Sequence, residues 1–467
     1  MEPKSRTHAL RDVAQSFSLA VFESSEHEKL ARRALDATDT WNQRACKLAA
    51  PLVVWFSVQL MLFREDSVQV ILERLLRILR ERDGKISPRD VTPEAACKAR
   101  YRLGVEPLRF AFEESIERID SLPTFRGLRP HAIDGTKMDM PDTPANEYTF
   151  GRPKASRGHS AFPQVAVVTL VETYSHRIRG FEWGPCNSPE RPSGLSLLQS
   201  LQTGDVAIVD RGYPSREFCY QASLCEANFV VRIPKSWSFR PVEILDDGSA
   251  LVDLHVKLPL PVEEQTRWRK NRSETVQLRL IEYQVDDGEG IRLLTDLLDP
   301  ALYPAIEAAG LYHERWEAEV NNAETKITLA AVKHGRLATT FRSKQPEGVL
   351  QELYALFLGY NLVREMMTDA AELHGTPPRE LSLTRSIHII REAIPRFDSA
   401  GEDELPYRYS QLLEDLTHAL IDRPRRPRSN PRVVKQKMSN FGVKKKGMRG
   451  EVCAFEVRIL PGELPEP

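Results

Sequence analysis

Hydrophobic residues recur every three to four positions in SVQVILERLLRILRER (67–82), the period of an amphipathic helix. Just upstream, LAAPLVVWFSVQLMLF (48–63) is apolar almost without a break. It has 16 residues and contains Pro51 and Gln59. A membrane span needs roughly 20, so the run predicts a buried helix and no membrane partner. Ser87-Pro88 and Thr92-Pro93 each set a capping hydroxyl before a proline at the first helical position. Residues 1–125 are therefore expected to be mostly helical. Lys98, Arg100, Arg102 and Arg109 in this region form either a DNA-facing surface or an ordinary solvated helix face.

Beyond residue 130 the period shortens. HAIDGTKMDM has strand character, and PQVAVVTLVETYSH (163–176) is long and β-branched, with HRIRGFEWGPC following as in a hairpin. A helix at 193–202, a strand at 205–213, a helix at 214–226 and a strand at 228–234 complete a mixed α/β sheet. Between 235 and 298, short alternating segments are separated by Asp247-Gly248 and Asp287-Gly288 turns. They predict an inserted antiparallel β subdomain. Asp299-Pro300 offers a helix start, Gly310 an interruption, and a helix is expected from about 311 to 333. PEGVLQELYALFLGYNLVREMM and LTRSIHIIREAI predict further helices. The Pro-, Arg- and Lys-rich chain past 421 is expected to be extended or partly disordered.

With 467 residues, 41% of them hydrophobic, the chain can bury a sizeable core in two to four domains. The net charge of −1 hides an asymmetry: from Arg423 to Arg449 there are eleven Lys or Arg and no acid. Such a stretch either neutralises a polyanion or acts as a solubilising tail. The six cysteines form no CxxC and no Cys/His zinc spacing, as expected of free thiols in a reducing compartment. The polar opening MEPKSRTHALRDVAQ is unlike a secretion signal, so a cytoplasmic location is expected.

The chemistry concentrates in LYHERWEAEVNNAETKITL (311–329). Its Tyr312, Arg315, Glu319 and Lys326 follow the spacing Y-x(2)-R-x(3)-E-x(6)-K. On a continuous helix they fall within an arc of roughly 60°. A carboxylate, two cations and a phenol make a poor core stripe but suit a metal ion and a phosphate backbone. Trp316, at about 40° on the same wheel, is expected to pack against the sheet. Upstream, Asp134 in AIDGT and Asp210 in AIVDRGY end apolar strands. Either alone is first a turn residue. Joined with a helix carboxylate, they form an all-oxygen set for Mg²⁺ or Mn²⁺. Two such ions can serve an in-line displacement at a phosphodiester. Trp237 and Trp268 lie in the inserted segment, where they either stack on a base or pack the subdomain. His159, His176, His313 and His334 have no metal spacing and are read as surface or structural residues.

Together these residues resemble the D-D-E triad and Y-R-E-K signature of the bacterial insertion-sequence-4 family of transposases. Asp134-Gly135-Thr136 matches the family's DGT block, and Asp210-Arg211-Gly212-Tyr213 its D-R-G-[FY] block. Further similar phrases are PDTPANEYTFGRP (141–153), AFPQ (161–164), LLTDLLDP (293–300), PEGVLQELYALFLGYNLVR (346–364), CKARYRLGVEPL (97–108) and NPRVVKQKMSNF (430–441). The resemblance implies an α/β fold: a ribonuclease-H-like catalytic core with an inserted antiparallel β subdomain, flanked by helical N- and C-terminal regions. On that reading 1–125 is a helical DNA-binding region, and 126–234 is the first part of the core. The insert is 235–298, the core helix with the third carboxylate 299–345, a helical region 346–420 and a basic tail 421–467.

The resemblance also implies that Asp134, Asp210 and Glu319 are the catalytic metal ligands, holding two Mg²⁺ or Mn²⁺ ions. Tyr312, Arg315 and Lys326 would hold phosphates of the element end, with Arg211, Trp237 and Trp268 as further DNA contacts. The implied partners are terminal inverted repeats, target DNA and a second copy of the chain in a DNA-bridged homodimer. DNA binding would place the protein at the bacterial nucleoid. Two rivals are a related metal-dependent nuclease that cuts without joining, and a non-enzymatic DNA-binding regulator.

Overall fold

The computed structural model describes residues 29–42, 48–83, 91–116, 125–153, 162–260, 263, 270–286, 289–329, 331–333, 336–338, 340–421, 428–429, 451–452 and 456–461. The chain divides into two units. The first comprises Met1–Thr124, Arg129–Ser200 and Trp316–Leu420; the second comprises Phe125–Leu128, Leu201–Arg315 and Ile421–Pro467.

The first unit begins with helices α1 (Leu30–Thr38), α2 (Ala50–Leu62), α3 (Val68–Asp83), α4 (Pro93–Leu103) and α5 (Glu106–Glu114). Every residue of α2 is buried, as its almost wholly apolar run requires. No helix among the described residues is long and apolar enough to cross a membrane. Thr92 caps α4, its hydroxyl accepting from the Ala95 N–H at 3.3 Å, with Pro93 as the first helical residue. Ser87-Pro88 lies outside the described residues.

Arg100 departs from the expected DNA-facing surface. It shares the inward stripe of α4 with Ala96, Ala99 and Leu103. Buried there, it reaches Glu352 Oε1 at 3.4 Å, and the same oxygen accepts from Ser343 Oγ at 2.5 Å. The residue before Tyr101 is thus a core ion-pair partner, because helical period and not charge decides which way a side chain faces. Lys98, Arg102 and Arg109 remain exposed, with Arg109 donating to Glu106 at 2.9 Å.

Three antiparallel strands follow, β1 (Arg129–Asp139), β2 (Gln164–Glu172) and β3 (Ile178–Pro185), in the order β3-β2-β1. Asp134 pairs with Thr169. α6 (Pro144–Phe150) separates β1 from β2, and α7 (Glu190–Gln199) follows β3. In the β2–β3 turn Glu172 accepts from the N–H groups of Tyr174 and Ser175 at 2.9 and 2.7 Å. His176 takes a left-handed φ of 63° there.

In the second unit β4 (Asp205–Val209) and β5 (Asn228–Arg232) run parallel, joined through α8 (Arg216–Ala222). β6 (Pro241–Ile244), β7 (Ala250–Pro259), β8 (Asn271–Val285) and β9 (Ile291–Thr295) then form the expected antiparallel insert. The insert is not a separate sheet, because β9 pairs antiparallel with β5 and gives the order β4-β5-β9-β8-β7-β6. Asp247, at the β6–β7 turn, forms an ion pair with the fully buried Arg279 and accepts from the Ala305 N–H at 2.7 Å. It thereby satisfies an orphan donor at the start of α9 (Ala305–His313). Asp299 caps only a turn, accepting from the Ala301 N–H at 2.8 Å, so the helix starts at Ala305 and not at Pro300.

Asp296 is a half-buried carboxyl beside this strand layer. Burial pushes it up to about 6, against the opposing pull of the Phe229 N–H and the Asn228 amide. The folded state therefore holds its proton more tightly than the unfolded state does. No penalty exists below pH 3.8; it grows up to about pH 6 and stays constant above. A shift of that size is worth at most about 3 kcal/mol. Asp296→Asn keeps an acceptor for Phe229, and Asn228 can turn its amide. The variant is expected to melt higher than the parent at pH 7.5 and no higher at pH 4, by differential scanning calorimetry.

The chain returns to the first unit with α10 (Trp316–Thr328). A single helix over 311–333 is not formed. Glu314 N–H and Arg315 N–H bond three residues back, to Leu311 and Tyr312, and this tight turn separates α9 from α10. Gly310 lies inside α9 and interrupts nothing. The short strand β10 (Ala331–Lys333) takes the end of the expected helix, and β11 (Arg336–Ala338) follows it. α11 (Pro346–His374), α12 (Leu383–Asp398) and α13 (Leu405–Thr417) complete the unit. α11 runs through its core. A Cβ on Gly359 would lie 2.9 Å from Leu62 Cγ, so the missing side chain is what lets α2 and α11 approach.

α10 packs against β1, β2 and α11. Behind it, the fully buried Arg364 forms an ion pair with Glu324 and lies 3.1 Å from His176 Nδ1. Tyr360 Oη donates to Glu324 at 2.7 Å, and His176 Nε2 is 2.7 Å from Glu317. Burial alone would raise the Glu324 carboxyl, yet Arg364 and His176 hold it well below the usual carboxylate range. His176 is structural, as expected.

β12 (Arg428–Ser429) pairs β13 (Glu451–Val452), and β14 (Val457–Ile459) pairs β8 through Val457–Val285 and Ile459–Tyr283. Part of the tail is therefore strand. Val457 and Ile459 alternate with Arg458 and pack on the second unit's core, a short period-two signal that the surrounding basic composition obscured. The side chains of the eleven tail cations, together with Trp268, His159 and His334, lie outside the described residues.

Candidate active site

The break between α9 and α10 divides the four signature residues into two pairs, one in each unit. In the second unit, Asp210 follows the last residue of β4, a strand buried at every position. Tyr312 on α9 is buried, and its hydroxyl donates to Asp210 Oδ1 at 3.1 Å. Arg315 is also buried, with Nε 3.8 Å from the same oxygen. The Asp210 carboxylate is partly exposed, and its Oδ2 has no partner among the described residues. Burial pushes the Tyr312 phenol up, and the Asp210 charge pushes it the same way, so it stays a neutral donor. Burial pushes the neighbouring His313 down to about 4, and its Nε2 lies 3.1 Å from Tyr283 Oη. Arg211 is exposed on the turn after Asp210.

In the first unit, Asp134 on β1 faces α10. Asn322, buried on that helix, donates through Nδ2 to Asp134 Oδ2 at 2.8 Å. Lys326, one turn further, is half-buried. Burial lowers its ammonium pKa, while the nearby carboxylates of Asp139 and Asp134 work in the opposite direction. Glu319 is exposed on α10, the helix that packs on the strand carrying Asp134. On the strand's other side, a Cβ at Gly135 would meet Glu190 Cδ at 2.5 Å, so the glycine of the DGT block makes room for that carboxylate. Among the described residues, no three His, Cys, Asp or Glu side chains group as a metal site.

The structure thus brings Tyr312 and Arg315 to Asp210, and sets Lys326 in the field of Asp139 and Asp134. Trp316 does not pack as expected: it is 58% exposed. A wheel angle measured from Tyr312 does not reach Trp316, because the turn at Glu314 and Arg315 resets the helical phase. Trp237 is half-buried, with the Arg216 guanidinium 5.5 Å from its ring and equally close to Phe239. Cys97, Cys186, Cys219 and Cys225 are free thiols. Sequence reasoning missed Asn322 and Glu190. Asn322 could have been found, because it lies three residues past Glu319 on a neighbouring stripe. Glu190 had no local signal, since only the pairing of α7 with the sheet sets it on Gly135.

Residues 17–113 match the family model described as insertion element 4 transposase N-terminal, and residues 127–362 match the transposase DDE domain. The chain is 31% identical over 423 residues to the transposase InsG for insertion sequence element IS4 of Escherichia coli (strain K12), covering 88% of this chain and 90% of that relative. A piggyBac transposase, solved by cryo-EM in a synaptic complex with hairpin DNA, matches over 88% of this chain and 86% of its own at 9% identity and a TM-score of 0.42, a level that fixes neither fold nor activity. With both domains present in order and almost a third of its residues shared along most of its length with one relative, the chain belongs to the insertion-sequence-4 family: it is a DDE-type DNA transposase with a ribonuclease-H-like core and an inserted antiparallel β subdomain.

Proposed function

We propose that this transposase cuts DNA at the terminal inverted repeats of an insertion sequence and joins the freed 3′ ends to target DNA, in cut-and-paste transposition. The observation that carries this reading is the meeting of Tyr312 and Arg315 with Asp210, with Lys326 in the field of Asp139 and Asp134.

DDE transposase domains use divalent metals. The donor chemistry here fits a hard cation. Asp210 has a partly exposed carboxylate with only Oδ1 engaged among the described residues, and Asp134 accepts on Oδ2 from a neutral amide. Asp134, Asp210 and Glu319 would hold the ions, Mg²⁺ or Mn²⁺ and two in number. Bound there, they would offset phosphodiester charge and favour both the attacking and the leaving oxygen.

The chain's own residues prepare that task. Tyr312 fixes the Asp210 rotamer as a neutral donor. Arg315 supplies a planar fork for a phosphate of the element end, and Lys326 a point charge. Arg211 and Trp237, with Trp268 and the basic tail, extend the DNA-contacting set, and the 1–125 helical region is the proposed end-binding domain. The core takes 126–234 and 299–345, and 235–298 is the insert. Helices within 346–420 are the proposed bridge of a DNA-bound homodimer, acting in the bacterial cytoplasm at the nucleoid.

Incubating the protein with its own element ends, target plasmid and Mg²⁺ or Mn²⁺ tests the reading. Transposition yields cut ends and joined products. Cutting without joining would favour the nuclease reading, and neither product the regulator. Lys326→Ala is expected to reduce the slope of log affinity against log salt by about 0.9, one phosphate's share, in end-binding titrations. An unchanged slope would remove Lys326 from the phosphate contacts.

A further inference from the structure

Asn322 is an odd residue for its place. It lies in the interior of α10, where asparagine is a weak helix former. It is 6% exposed. A carboxylate only accepts, so the amide must turn Nδ2 toward Asp134, and does so at 2.8 Å. Oδ1 is left buried without a hydrogen-bond partner. An unpaired buried acceptor destabilises a fold. Stability therefore does not account for an amide here, since an apolar side chain of similar size would leave no such atom.

We infer that Asn322 is a positioning residue for the metal-holding carboxylates, acting through Asp134 and through its own helix. One N–H fixes the Asp134 carboxylate. The same contact sets the rotation of α10 about its axis, and so the direction faced by Glu319, three residues earlier on that helix. The donor's neutrality matters. Lys326 stands one turn away, half-buried in the field of the Asp139 and Asp134 carboxylates. An ammonium bonded in place of the amide would offset the charge of Asp134, whereas the amide orients the carboxylate and adds no counter-charge of its own. Partners that orient ligating groups typically tune metal affinity by about 10–100-fold.

This inference rests on the proposal that Asp134 is a metal ligand, and the test separates the two. Mn²⁺ would be titrated into the full chain bound to its end duplex, with free Mn²⁺ read by electron paramagnetic resonance and folding read by thermal melting. Asn322→Leu removes both the donor and the unpaired oxygen. It is expected to melt no lower than the parent yet bind Mn²⁺ about 10–100-fold more weakly. A stable leucine variant with parental Mn²⁺ affinity overturns the positioning role. Should leucine fail to fold, Asn322→Ala is read by the same Mn²⁺ titration with the same expected and overturning results. Asp134→Asn is the control: if it too binds Mn²⁺ like the parent, the ligand assignment fails, and not merely the role of Asn322.

Discussion

Asp210→Asn protein is expected to fold and to bind element ends, yet to cut them at least about 10³-fold more slowly, on the order of 4 kcal/mol of lost barrier reduction. Asparagine is close to aspartate in size. Its carbonyl oxygen can still accept the Tyr312 hydroxyl that now donates to Asp210 Oδ1, so the local packing at the end of β4 survives. The charge does not survive. A neutral amide is a poor ligand for a hard divalent ion, and it leaves Arg315 without its facing carboxylate. The extra positive charge would leave DNA affinity intact or raise it, which separates this variant from one that fails through unfolding. Glu319→Gln is expected to behave alike, and its exposed position makes a folding defect still less of a concern. Single-turnover cleavage of labelled ends, beside a gel-shift measurement on the same preparation, checks both. Parental cleavage rates in either variant would sink the catalytic assignment.

The largest stability effect is expected at Arg364. Replacing it with methionine leaves Glu324 nearly buried and without its main counter-charge, at a cost of about 3–5 kcal/mol. Tyr360 and His176 remain near the carboxylate, but one hydroxyl and one imidazole do not replace a guanidinium. Because the folded Glu324 pKa is depressed, the stabilisation belongs to pH above 4.5 and is lost as pH falls toward the lowered value. The parent and the Arg364→Met protein should therefore converge in stability under acid. Removing both charges, as Arg364→Met with Glu324→Leu, is expected to recover most of the loss, since a buried pair replaced by apolar groups is often neutral. Denaturant unfolding followed from pH 7 down to pH 2 decides this, and a single variant as stable as the parent at pH 7 would refute it. The network also secures α10 against α11, so the single variant should lose activity below its melting transition as Glu319's helix loosens.

Local signals carried much of the architecture. The almost wholly apolar run of α2 needed no partner to declare itself buried, and Thr92-Pro93 started α4 where a cap and a fixed φ require. The strand character of β1, the β-branched stretch of β2 and the alternating insert were equally plain. These features depend on neighbours within a few residues along the chain. Arg100 shows the other side: its charge suggested solvent, and its helix stripe, closed by Glu352 from a distant helix, took it inward. The three-residue hydrogen bonds at Glu314 and Arg315 likewise broke a helix that residue spacing alone makes continuous.

By itself the sequence determined the family, the two aspartate blocks and the four spaced signature residues, because a motif is a property of order along the chain. Only the tertiary structure decided which signature residue meets which aspartate, that Trp316 is exposed, and that Asn322 grips Asp134. Those outcomes depend on helix phase after a turn and on residues 188 positions apart coming within 2.8 Å, and no local pattern encodes either.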